Sequence, residues 1–170
     1  MPLNPAPRVP GDQLTFQSRA DLTPASVEVT KQSSGAAPGD IFITPQQGPI
    51  QNGAMILGED GHLIWFHPVP QGDMAADLRV QHYLGGPVLT WWQGYSGAGV
   101  GAGEDVIYDS SYRQLAVVRA GNGLSADLHE FRLTPQGTAL ITAYYPVYWD
   151  ASAVHGPKQQ VVLDSVVQEV

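Results

Sequence analysis

A chain of 170 residues, 43% of them hydrophobic, has room for one domain with a real core and is not a disordered composition. Only 8 Lys and Arg stand against 16 Asp and Glu, and the net charge of −8 argues against nucleic acid and anionic membrane surfaces as partners. There is no cysteine, which excludes disulfides and thiolate chemistry.

Residues 1–26 carry five of the 14 prolines and little periodicity, and read as an extended Pro-rich arm or linker. Residues 1–10 lack the apolar core segment of a signal peptide. No apolar run in the chain approaches the roughly 18–20 residues that span a bilayer as a helix. From residue 27 onward, short alternating segments and glycine-led strands recur in three units, near 27–66, 78–118 and 128–170. The first unit predicts strands at 27–31, 41–45, 54–57 and 62–66. The second predicts them at 78–83, 87–92, 105–108 and 114–118. The third predicts 128–133, 138–144 and a strand within 161–170.

The period-two alternation of Leu78–Tyr83 and Leu128–Leu133 is that of a half-buried strand. Gly39, Gly86 and Gly137 open the second strand of each unit, 47 and then 51 residues apart. Four antiparallel strands per 40–50 residues is the spacing of β-propeller blades. A β-sandwich would use similar strands but would not require glycine at one position per unit. The fold class read from the chain is therefore all-β, with about three four-stranded antiparallel blades. Propellers close with about 4–8 blades. The third unit lacks a fourth strand, and the chain stops on the apolar run Val166–Val170. The expectation is a partial propeller over 27–170, an open half of a larger ring.

The segment Gly97–Glu104 has a glycine spacing reminiscent of dinucleotide loops. No helix follows it, so it reads as a flexible connection between strands. Glu59, Asp60, Asp109 and Asp164 recur at strand ends, where turn formation and solvation explain them. His62, His67, His82 and His155 show no paired metal-ligand spacing, and no metal or cofactor is expected.

Three runs together resemble a known family: Pro87-Val88-Leu89-Thr90-Trp91-Trp92-Gln93-Gly94, Arg119-Ala120-Gly121-Asn122-Gly123, and Asp127-Leu128-His129-Glu130-Phe131 with Leu133–Leu140. They are similar to the arylsulfotransferase (ASST-like) proteins, over roughly residues 14–170. The resemblance implies a six-bladed propeller. It also implies transfer of a sulfuryl group between a phenolic sulfate ester and a phenol through histidine chemistry in the central channel, without a nucleotide sulfate donor. The implied partners are small phenolic sulfates and phenols.

His129 is the candidate catalytic residue, because imidazole can act as a nitrogen nucleophile or, protonated, stabilise charge on sulfate oxygens. The expectation places it on the innermost strand of its blade, sharing a face with Phe131 and Leu133. Trp91, Trp92 and Asn122 are the candidate substrate-binding residues, the indoles as surfaces for a phenol ring. Blade packing is the alternative for at least one of them. The resemblance implies that further histidines and an arginine come from later blades, so the nucleophile is expected outside these 170 residues and the segment alone is expected to be inactive. The competing reading is a non-catalytic propeller used as a binding scaffold.

Overall fold

In a computed structural model the described residues are 14, 16, 18–31, 35–46 and 51–170. They form ten strands and one 3₁₀ turn, Ser152–Val154. The chain divides into two compact units, Met1–Arg79 and Val80–Val170.

In the first unit, β1 (Ile41–Ile43), β2 (Gly53–Leu57) and β3 (Leu63–Pro68) form a three-stranded antiparallel sheet in chain order. The central strand β2 reads Gly-Ala-Met-Ile-Leu and is buried along its whole length, as an apolar run without alternation requires. The expected strand over 27–31 is absent. Its alternation is short, and Val29 and its neighbours to Lys31 are exposed, so no burial supports it. Much of the expected arm 1–26 lies outside the described residues. Its described part is tied down: the Leu14 N–H donates to Pro24 O (2.8 Å), and the Gln51 side chain accepts from the Thr23 N–H (2.7 Å) and donates to Asp21 O (2.8 Å).

On β3 the His67 ring stacks on Trp65, with centroids 5.9 Å apart and planes 19° from parallel. Burial pushes the His67 imidazole below its ordinary range. The unfolded chain then binds a proton, near the ordinary value of about 6.5, that the folded chain resists. Stability should therefore be fully present above that pH and fall as pH drops below it. Thermal unfolding followed from pH 8 to pH 5 should show this decline, and His67→Gln should flatten it; an unchanged slope in the variant would remove His67 as the cause.

The second sheet runs β4 (Met74–Tyr83), β5 (Gly86–Gly97), β6 (Val100–Tyr108) and β7 (Gln114–Val118), in that order. The third runs β8 (Phe131–Leu133), β9 (Ala139–Trp149) and β10 (Gln160–Glu169), also in chain order. All the described strand pairings are antiparallel, and β9 and β10 keep an unbroken register from Gln160↔Trp149 to Glu169↔Leu140.

Turn chemistry sets these connections. The two-residue links Leu84-Gly85 and Ala98-Gly99 have φ of 48° and 87°, and 53° and 83°, the left-handed pair that matches strand twist in a tight hairpin. A longer turn recurs three times, across Gly58–His62, Asp109–Arg113 and Thr134–Thr138. Each has a left-handed residue just before its last position: Gly61, Tyr112 and Gly137. Asp109 caps its turn by accepting from the Ser111 and Arg113 N–H groups (2.8 and 2.9 Å), and the second of these bonds holds its carboxyl below the usual carboxylate range.

Within the second unit, Val88, Ile107, Phe131, Ala139 and Ile141 form a core that joins the β5–β7 sheet to the β8–β10 sheet. One amide reinforces the join. Gln81 donates to Thr90 Oγ1 (2.9 Å) and Phe131 O (3.1 Å), and accepts from the Leu133 N–H (2.9 Å). Gln81→Leu should cost about 1–3 kcal/mol in chemical denaturation, because it leaves half-buried β8 backbone groups without this partner. A change below about 0.5 kcal/mol would show that water replaces the amide without loss.

Candidate functional site

The site is built on the glycine-rich end of the β5–β6 hairpin. This segment is not the flexible loop its composition suggested: Gly94↔Gly103 and Gly97↔Val100 are paired ladder positions, and only Ala98-Gly99 turns. Two of the glycines are required by close packing, Gly101 by Trp92 and the Leu128 backbone, Gly103 by the Gln93 backbone and Trp92. A Cβ on Gly101 or Gly103 would lie 2.7 Å from the Trp92 ring, closer than carbon atoms pack. The indole thus lies along bare backbone, 1% exposed, and its Nε1–H donates to Ala126 O (2.9 Å).

Ala126 is also bridged to Gly103 through both backbone groups, with N–H···O distances of 3.0 and 3.2 Å. This fixes the entry to Asp127, whose own N–H donates to Thr142 O on β9 (2.8 Å). The Asp127 side chain is fully buried. Its Oδ1 accepts from the Gly101 N–H (2.6 Å), and its Oδ2 accepts from the His129 N–H (3.1 Å) and from His129 Nδ1. A buried carboxylate is tolerated only when its lone pairs are used in this way.

These bonds also explain why His129 is not on a strand. Asp127 offers the backbone a local turn that competes with the ladder, so β8 begins only at Phe131, three residues later than expected. His129 sits in that turn, and the shared face with Phe131 does not form: Phe131 is buried in the core, whereas the His129 side chain is 53% exposed. The contact with Asp127 engages Nδ1 and leaves Nε2 outside that bond.

The same local pattern occurs at Asp60-Gly61-His62 in the first unit. Asp60 accepts from the His62 N–H (2.9 Å) and from His62 Nδ1, but carboxylate and imidazole are both more than half exposed. Asp-x-His is therefore a turn-forming pattern in itself. The burial of Asp127 and its third donor, Gly101, distinguish the pair at His129.

The other candidate residues fall elsewhere in this unit. Trp91 is 1% exposed, packs on Tyr108 with ring centroids 4.6 Å apart, and approaches Gln93 Oε1 with its Nε1–H (3.3 Å). Gln93 donates onward to Glu104 (3.0 Å), which pairs with Arg119 (2.6 Å). Both indoles are packed in the interior of this unit, each 1% exposed. Asn122 is exposed in a left-handed turn (φ 59°) followed by Gly123, beside the clamp that Gln168 makes on the Gly121 N–H and C=O (2.7 and 3.2 Å). Sequence reasoning missed Asp127 and Gly101. The signals were present, as an aspartate two residues before the histidine and glycines at alternate positions opposite a tryptophan.

The family model for arylsulfotransferase (ASST) matches residues 79–170. The chain belongs to that family. The match covers Trp91, Trp92, Gly101, Asp127 and His129, so the whole of the buried-carboxylate site lies in the arylsulfotransferase segment. No curated protein and no solved structure matches the chain. Among the described residues, no three His, Asp or Glu side chains gather as a metal site, and no helix is long and apolar enough to cross a membrane.

Proposed function

We propose that this chain contributes the His129 part of a sulfate-handling site in an arylsulfotransferase that moves a sulfuryl group from a phenolic sulfate ester to a phenol. The three antiparallel sheets, each in chain order, are read as successive blades of a β-propeller whose channel holds the substrates. Membership of the family and the regular hairpin repeat support this reading. The observation that carries it is the half-exposed imidazole of His129, whose Nδ1 is bonded to a fully buried carboxylate.

An aryl sulfate is a monoanion whose charge is spread over its oxygens and shifts toward the phenolic oxygen as the S–O bond lengthens. Protonated at Nε2, His129 donates a hydrogen bond to such an oxygen, and Asp127 compensates the imidazolium charge from the far side. The nucleophile and the remaining cationic groups are assigned to other parts of the whole protein. The test is release of a chromogenic phenol from its sulfate ester by the full-length protein, with and without a second phenol as acceptor. Release that depends on the acceptor supports the transferase. No release with a panel of aryl sulfates turns the reading toward a binding scaffold.

A further inference from the structure

We propose that Asp127 is a positioning residue that holds His129 in one tautomer, with the proton on Nδ1 and Nε2 directed outward. As a role within the sulfate site, it rests on the function proposed above; as a statement about the imidazole, it stands on geometry alone.

Three N–H groups converge on Asp127, from Gly101, from the His129 backbone and from His129 Nδ1, and no water reaches the carboxylate to replace any of them. The imidazole cannot turn its Nε2 inward without breaking a charge-assisted bond to a buried carboxylate. The scaffold behind the carboxylate is equally constrained. Gly101 can donate to Asp127 only while β6 lies against Trp92, and Trp92 in turn fixes Ala126, one residue before Asp127. The hairpin, the indole and the carboxylate thus form one support for a single ring orientation. With Nδ1 committed to Asp127, Nε2 is the ring nitrogen available to a ligand. A carboxylate behind an imidazole gives the same division of labour in hydrolytic triads, where its loss leaves the ring in the wrong tautomer.

His62 is the control inside the same molecule. Its carboxylate partner is exposed, so water competes for both ring nitrogens and the tautomers should mix.

The experiment is long-range ¹H–¹⁵N correlation NMR on full-length protein labelled in histidine, recorded over a pH series that extends to the neutral form of each ring, with His129→Gln and His62→Gln to assign the signals. The expected result is a single Nδ1–H tautomer for His129 and an averaged pair of nitrogen shifts for His62. An Nε2–H tautomer or averaged shifts at His129 would overturn the proposal, and this reading needs no variant of Asp127. Asp127→Asn keeps the shape but turns an NH₂ toward one of the three donors. It should release the tautomer and lower turnover of an aryl sulfate about 10–100-fold with a changed pH profile. If Asp127→Asn folds and leaves tautomer, rate and pH profile unchanged, Asp127 is only a turn former. Absence of sulfuryl transfer in unmodified protein with the Nδ1–H tautomer present would remove the proposed function and leave the positioning intact. Transfer with the other tautomer would do the reverse.

Discussion

Trp92→Ala should be the most damaging single truncation in the arylsulfotransferase segment, lowering stability by about 3–5 kcal/mol. The indole is 1% exposed and covers the bare backbone at Gly101 and Gly103, so its removal opens a cavity that glycine cannot fill. It also withdraws the Nε1–H from Ala126 O. Collapse onto the void would move Gly101 and with it a donor to Asp127. Chemical denaturation should therefore show the loss in free energy, and the His129 resonances should shift with the displaced carboxylate. Trp92→Phe keeps most of the area but not the donor, and should cost less. If Trp92→Ala unfolded within about 1 kcal/mol of the native chain, the indole would not be what holds the glycine hairpin in place.

The second large effect is on activity. In the full-length protein, His129→Ala should slow aryl sulfate turnover about 10²–10³-fold, the range for removing one well-placed donor to developing charge, or about 2.7–4 kcal/mol. The fold should survive. The side chain is half exposed, and the backbone N–H of residue 129 and that of Gly101 still serve the Asp127 carboxylate after the substitution. Rates measured beside circular dichroism and unfolding curves separate the two effects. Equal rates in variant and unmodified protein would leave His129 a turn residue like His62.

The strands were legible because alternation and turn residues act locally. Val88-Leu89-Thr90-Trp91 and Val106-Ile107-Tyr108 lie within β5 and β6 as expected, and the Thr134–Thr138 turn falls where Pro135-Gln136-Gly137 places it. The failures share a cause of another kind. At 97–104 a run of glycines looked structureless, because what orders it is the pairing with β5 and the close approach of the Gln93 backbone and the Trp92 ring. At 128–130 the alternation favoured a strand, but the Asp127 carboxylate captured the backbone first. At 27–31 the pattern was present without burial to reward it. His129 could be singled out by residue type, whereas its buried partner could not. The burial of Asp127 depends on Gly101 and Thr142, which lie far from it in the chain.

The interlocking at the hairpin tip has a consequence for the motions of this unit. Composition would make Gly97–Gly103 the fastest segment to trade its amide hydrogens with deuterated solvent. Yet the Gly101 amide is sealed by a buried carboxylate, the Gly103 and Ala126 amides by each other's carbonyls, and the Asp127 amide by Thr142. None of these four can open without disturbing the other bonds of the lock. They should exchange together, at one slow rate set by a shared opening event, while Ala98 and Gly99 beside them exchange freely. The least shapely stretch of the chain would then behave as a single latch.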